Sequence, residues 1–234
     1  MSELTDALLL TAELLLRWDP ALGEIVRLSL WVSGTAVGVA ALVGLPLGSA
    51  LAVLPFPGRG AVVSVLGALM GLPPVVVGLL VYLLLSRSGP LGAWGLLFTP
   101  PAMILAQLVL VLPIIISLSH HTLAALWQDY REPLRSLGAS PPQAMWTLLW
   151  EGRFQLLTTL LAGLGRALAE VGAVLIVGGN IAHHTRVMTT AIALETSKGD
   201  LALALALGFI LIALTIGLSG AAQGLNAYAA RRWS

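Results

Sequence analysis

Two ionisable residues, Arg166 and Glu170, stand four positions apart inside the apolar run from Phe154 to Gly178. On a helix that spacing puts both on one face. Charges inside an apolar span face a bundle interior or an aqueous cavity, and they commonly pair. The two are therefore either a structural ion pair or part of a polar path. A denser group of charges fills the polar stretch from Trp127 to Arg153: Asp129, Arg131, Glu132, Arg135, Glu151 and Arg153. His120 and His121 precede it. Adjacent histidines point apart on a helix and make a poor metal site, so no metal is expected there.

Nucleophile and phosphate chemistry have little to work with. There is no G-x-x-x-x-G-K-[ST] loop, and the sole lysine, Lys198, lies in Ser-Lys-Gly-Asp. A phosphate cradle of that kind is excluded. Neither H-E-x-x-H nor G-x-S-x-G occurs. The chain has no cysteine, which removes disulfides, thiol catalysis and thiolate metal sites. No catalytic residue and no cofactor is expected, and any ATP that drives the protein must bind another subunit.

The elements that position these charges belong in a membrane. The chain is 58% hydrophobic and 10% charged, with a mean hydropathy of +0.94. A soluble domain carries about 25% charge. A net charge of +1 gives no reason to expect a nucleic-acid partner. The acidic start, Met-Ser-Glu-Leu-Thr-Asp, is unlike a cleaved signal peptide, so insertion is expected to rely on the spans themselves. Residues 4–16 are too short and too charged to span, and read as an interfacial helix ended by Arg17, Trp18, Asp19 and Pro20. The alternative is a tilted extra span.

Five spans follow, at about 28–54, 61–85, 101–118, 154–178 and 201–223. Gly34, Gly38, Gly44 and Gly48 recur along the first, where small residues let helices approach, and Pro46 predicts a kink. The second contains Gly71-Leu-Pro-Pro-Val-Val-Val-Gly78, which predicts a mid-membrane break at Pro73 and Pro74. Such a break is either a packing kink or the wall of an aqueous cavity. Gly178-Gly179-Asn180 predicts the stop of the fourth span.

Within the polar stretch, Glu132 to Ser140 predicts helix, break, helix. Pro133 suits a first helical turn. Gly138 can take the left-handed conformation that ends a helix. Ser140 can cap a second helix, with Pro141 first inside it and Gln143 closing a capping box.

This pattern resembles the EAA loop of ATP-binding cassette importer permeases, in which an acidic residue, two small residues and a glycine form a short coupling helix. Glu132 stands at the acid and Gly138 at the glycine; Pro133 and Leu134 replace the small pair. The second span resembles the proline-rich span of molybdate- and tungstate-type permeases, and Ala167 to Ile181 together with Thr185 to Asp200 closely resembles the tungstate permeases, with His184 where a small residue is expected. The resemblance implies an all-α, type I importer permease: an interfacial helix over residues 1–20 and a five-span permease domain over 21–234, with a coupling loop at about 119–153. It implies coupling to the ATPase through Glu132, Pro133, Arg135, Ser136, Gly138, Ala139 and Ser140. A translocation path or gate is expected from Pro73, Pro74, Val76, Gly78, Arg166, Glu170, Gly172, Gly178, Gly179 and Asn180.

The implied partners are a cytoplasmic ATP-binding cassette ATPase dimer and an extracytoplasmic oxyanion-binding protein. Five spans enclose little pore, so a second copy of the chain on a two-fold axis is expected as well. With the polar loop and the Arg231-Arg232 tail in the cytoplasm, Arg59, Arg131, Arg135 and Arg153 join them. Arg17, Arg27, Arg87, Arg186 and Lys198 then lie outside with the N-terminus, in accord with the positive-inside rule. The expected function is translocation of an oxyanion, tungstate first, in a prokaryotic cytoplasmic membrane. A molybdate or sulfate permease of the same architecture, a non-transporting membrane scaffold, and a membrane-embedded enzyme are the alternatives.

Overall fold

A computed structural model describes residues 2–17 and 19–233, with side chains described at 7–17 and 19–227. Trp18, invoked above at the end of the interfacial helix, and the side chains of Asp6 in the acidic start and of Arg231 and Arg232 in the cytoplasmic tail lie outside the described residues. The described residues form ten α-helices: α1 (Ser2–Arg17), α2 (Pro20–Val53), α3 (Arg59–Leu69), α4 (Pro74–Leu85), α5 (Pro100–Ser136), α6 (Pro141–Glu151), α7 (Arg153–Leu168), α8 (Gly172–Gly178), α9 (Met188–Lys198) and α10 (Leu201–Trp233). Among them, α2, α5 and α10 are long and apolar enough to cross a membrane. The count rises to five if the bent pairs α3–α4 and α7–α8 each serve as one span. At 16 residues, α1 is shorter than the ~20 a span needs.

Two boundaries differ from the sequence expectation. The first span's helix begins at Pro20 rather than Leu28 and runs through Pro46 as one α-helix. At 1.5 Å per residue its 34 residues reach about 50 Å, well beyond a ~30 Å hydrocarbon core. The third span does not end at Leu118: α5 continues for 37 residues, through His120, His121 and Trp127, to Ser136. The onset of charge marks where a helix leaves the apolar phase, and charged residues propagate a helix well. Pro133 is accordingly inside α5 rather than in a first turn. It sits in the last turn, where its missing N–H leaves the Asp129 carbonyl without a helical donor and the helix stops three residues later. The second span does break where the sequence expects it, with a bend of 99° between α3 and α4: Pro73 lies in the break and Pro74 takes the first position of α4, where proline suits a helix start.

The helices group into two compact units. The first comprises the chain to Thr35, Pro73–Gln107 and Arg166–Gly217. In it α4 packs on α8 at close range: a Cβ on Gly78 would lie 2.7 Å from Ala173 Cα, and one on Gly172 would lie 2.8 Å from Val75 Cγ2. Thr11 of α1 donates to Ala202 O of α10 at 3.0 Å. The second unit comprises Ala36–Leu72, Leu108–Gly165 and the chain from Leu218. Its core brings Ala52 and Val53 of α2, Leu123 of α5, Ala144 and Leu148 of α6 and Leu156 of α7 together. Trp127, Tyr130 and Leu134 of α5 pack against that cluster, which fixes the polar end of α5 onto α6.

Gly44 and Gly48 carry the close crossing of α2 and α5. A Cβ at Gly48 would meet Ser119 Oγ at 2.1 Å and the backbone atoms His120 N and Ile116 O at 3.1 Å. Gly34 and Gly38 have nothing within 4 Å and do not serve that purpose within the chain. We expect Gly48→Val to destabilise the protein by roughly 1–3 kcal/mol through overpacking against backbone that cannot move aside. Gly34→Ala should leave stability unchanged or raise it by up to about 1 kcal/mol through helix propensity. Thermal unfolding of the purified protein in one detergent compares the two; equal losses would contradict the assignment of the crossing to Gly48.

Candidate coupling and translocation elements

The polar end of α5 is built to finish abruptly. Ala139 N–H donates to Leu134 O at 2.9 Å and Gly138 N–H to Arg135 O at 3.0 Å. This is the paired bonding of a Schellman stop, and it requires the left-handed residue that Gly138 supplies, with φ 70°. Gln143 Oε1 then accepts from both the N–H and the hydroxyl of Ser140, at 2.8 and 2.9 Å, which ties the start of α6. Glu132, Pro133, Arg135, Ser136, Gly138 and Ser140 are exposed, and Ala139 is half-buried. The seven coupling candidates thus lie on one protruding corner held by the Trp127–Leu148 packing behind it. Sequence reasoning missed Leu137, which is 83% exposed at the apex of that corner. Its signal was available: an apolar residue at the end of a helix, immediately before the left-handed glycine.

The translocation candidates gather in the first unit. The fourth span is broken at Ala169–Val171, between α7 and α8, and Glu170 lies in the break rather than on a helix face. Its carboxylate is 3% exposed. Oε2 accepts from Arg166 Nη1 at 2.7 Å, and Oε1 accepts from Ala173 N–H at 3.2 Å, one of the unpaired donors at the start of α8. The Glu170 carbonyl accepts from the Thr189 hydroxyl at 2.7 Å, and Gln107 Nε2 donates to Ala167 O at 3.0 Å. A break in apolar surroundings is thus closed by side chains from α5, α7 and α9. The charge of Arg166 is engaged by Glu170.

Around α8 the other candidates separate by role. Gly78, Gly172 and Gly178 are sites of close packing; a Cβ on Gly178 would lie 3.0 Å from Met103. Gly179, with φ 71°, ends α8, and a Cβ there would lie 2.9 Å from the Phe98 ring. Phe98 N–H donates to Val177 O at 2.9 Å, so the segment before α5 seals the end of α8. Asn180 Nδ2 donates to Thr190 O at 3.2 Å, whereas its Oδ1 is buried without a hydrogen-bond partner. Val75 and Val76 are exposed on α4, and Pro73 and Pro74 set its start. The hydroxyls of Thr185, Thr189 and Thr190 are taken by backbone carbonyls, so they hold the loop after α8 in place. His120, a rejected metal ligand, faces Arg59 at 3.4 Å. Arg59 Nε donates to Leu51 O at the end of α2.

The two bonds to the Glu170 carboxylate give a graded expectation. Glu170→Ala loses both, Glu170→Gln keeps an acceptor for Ala173 N–H, and Arg166→Ala leaves a buried carboxylate unpaired. Stability should fall in all three, with Glu170→Gln the mildest. The double variant should be less damaged than the sum of the Ala singles, by a coupling of roughly 1–3 kcal/mol. Additive losses in thermal unfolding would show that the two residues do not interact.

The family described as binding-protein-dependent transport system inner membrane component matches residues 44–233. The chain is 45% identical over 201 residues to a probable anion ABC transporter permease protein of Haloferax volcanii, covering 84% of this chain and 87% of that one. It is 40% identical over 214 residues to the tungstate uptake system permease protein TupB of Peptoclostridium acidaminophilum, covering 92% and 94%. Identity falls to 28% over 174 residues for the sulfate transport system permease protein CysW of Escherichia coli, covering 71% and 60%. An all-helical chain with apolar spans, matched over most of its length, therefore belongs to the family of binding-protein-dependent transport system inner membrane components and is an integral membrane transport subunit.

Proposed function

We propose that the chain is the membrane-spanning subunit of an importer that moves a tetrahedral oxyanion, tungstate first, into the cell. The observation that carries this reading is the exposed corner from Glu132 to Ser140 at the end of a continuous 37-residue helix. A rigid apolar helix that ends in a sharply stopped, solvent-facing knob suits docking into a cleft on another subunit. The ATPase subunits bind ATP, since the chain has no phosphate loop of the Walker type. The corner faces the cytoplasm with the C-terminus, and the loop from Ile181 to Val187 faces outside with the N-terminus. A second copy of the chain completes the path, and an extracytoplasmic binding protein delivers the anion. Similarity to TupB and to the probable anion permease supports the substrate class. The lower identity to sulfate permeases makes sulfate the second reading.

The path needs no tight cationic site. Arg166, the basic residue well inside the spans, is paired with Glu170 and so is not free to trap a dianion. Selection then rests with the binding protein, and the chain supplies a gate at α4 and α8. Val76 is the exposed member of the gate set on α4; Gly78 is filled by Ala173.

Proteoliposomes holding this chain, its ATPase and its binding protein test the reading. Labelled tungstate should accumulate only with ATP inside the cytoplasmic face, ahead of sulfate and phosphate. Preferred sulfate uptake would overturn the substrate, and ATP-independent flux would overturn the importer. Gly138 variants test the corner. Asparagine tolerates a left-handed backbone, alanine loses roughly 1–2 kcal/mol there, and valine more. Uptake and ATPase association should fall in the order Gly138, Gly138→Asn, Gly138→Ala, Gly138→Val. Normal association in Gly138→Val would remove the corner from the docking account.

A further inference from the structure

The loop after α8 and the first turns of α2 enclose two adjoining cavities that no part of the translocation account uses. One, of about 140 Å³, is lined by Glu24, Leu28, Ala182, His183, His184 and Arg186 among others. The second, of about 320 Å³, shares Glu24, Leu28, His183 and His184 and adds Arg27 and Trp31. A water occupies about 30 Å³ in the liquid, so either cavity has room for a small polyatomic ion. The lining is rich in donors: two guanidinium groups and two imidazoles against one carboxylate.

The cradle is held firmly. N–H groups of His184, Thr185 and Arg186 all converge on Ile181 O, at 3.2, 3.0 and 3.1 Å. Thr185 Oγ1 accepts from Ile181 N–H and donates to Gly178 O. Met188 N–H donates to Ser29 Oγ at 2.8 Å, which ties the end of the loop to α2. His183 sits at φ 60°, in the left-handed region that few side-chain-bearing residues occupy, histidine more often than most. Its Nδ1 lies 2.7 Å from Glu24 Oε2, so the one carboxylate of the lining is already engaged. Arg186 Nε is buried without a hydrogen-bond partner. Its Nη1 lies 3.8 Å from Glu195, whose carboxylate is also held by Lys198 at 3.0 Å.

We propose that this concavity is a low-affinity reception site for a tetrahedral oxyanion, bound by Arg27, His184 and Arg186 outside the membrane. The identity of the ligand rests on the importer reading above. Guanidinium N–H forks suit the edge of a tetrahedral oxyanion, and an imidazole N–H donates to a third oxygen. Trp31 and Leu28 on the wall lower the local polarity and strengthen those bonds. The nearby carboxylate keeps affinity low, which suits a station that must release its ion.

The test uses the complete permease–ATPase complex in lipid nanodiscs, without binding protein, and equilibrium dialysis of labelled tungstate. Saturable binding is expected. Arg27→Ala together with His184→Ala should weaken it by roughly 10-fold or more, the scale of one lost charge-assisted hydrogen bond. Glu24→Gln should tighten it, an effect in the opposite direction that misfolding cannot imitate. No saturable binding by the wild-type complex, or binding indifferent to all of these changes, overturns the site. Variants that alter the affinity of the binding protein but not of tungstate also overturn it, by assigning the surface to protein docking. If uptake of tungstate is normal while dialysis shows no site, only this inference fails; if the complex takes up no oxyanion, the importer reading fails.

Discussion

Every backbone N–H and C=O in an apolar phase must find a partner inside the protein. That constraint decides where this chain can break. Its fourth apolar run is interrupted at Ala169–Val171, and the interruption is closed by one buried carboxylate. Glu170 takes a donor from the start of α8 with one oxygen and the Arg166 guanidinium with the other, while its own carbonyl receives Thr189. The short helix α8 starts immediately after this closure, with its Ala173 N–H donating to Glu170. Its seven residues carry Ala173 and Gly178 into contact with Gly78 of α4 and Met103 of α5. The loop that follows is anchored in turn by Thr185 and Met188.

The second organising feature is α5. Its buried residues recur at helical spacing from Met103 through Ala106, Leu110, Ile115 and Ser119 to Leu123. That face lets Gly44 and Gly48 of α2 approach its backbone. Beyond Leu123 the same helix enters the polar stretch and presents Trp127, Tyr130 and Leu134 to α6. The exposed corner at Leu137–Gly138 therefore sits on a helix whose other end is deep in apolar packing. That corner is continuous with the helix that carries it.

Much of this was legible from residue types. The apolar runs, the left-handed Gly138, the Ser140–Gln143 tie and the stop at Gly179 follow from local stereochemistry, which sequence reports directly. The length of α5 did not follow, because charge at 128–135 marks the exit from an apolar phase and says nothing against continued helix. Spacing alone puts Glu170 on a helix face and does not show the break at Ala169–Val171 in which it lies. Gly34, Gly38, Gly44 and Gly48 of α2 look alike in sequence, yet of these four Gly44 and Gly48 alone are closely approached, since that depends on which face α5 covers. Leu137 was passed over because one exposed leucine is unremarkable until its place at an apex is seen. The cavity beside His183 required two segments about 160 residues apart to meet.

We propose that the Glu132–Ser140 corner is where the ATPase holds this chain. The chain has no cysteine, so Leu137→Cys gives a single thiol at the apex. Its reaction rate with a water-soluble maleimide should be high in the isolated chain and fall by an order of magnitude or more in the assembled, ATP-hydrolysing complex. An equally fast reaction in a fully assembled and active complex would place the docking surface elsewhere.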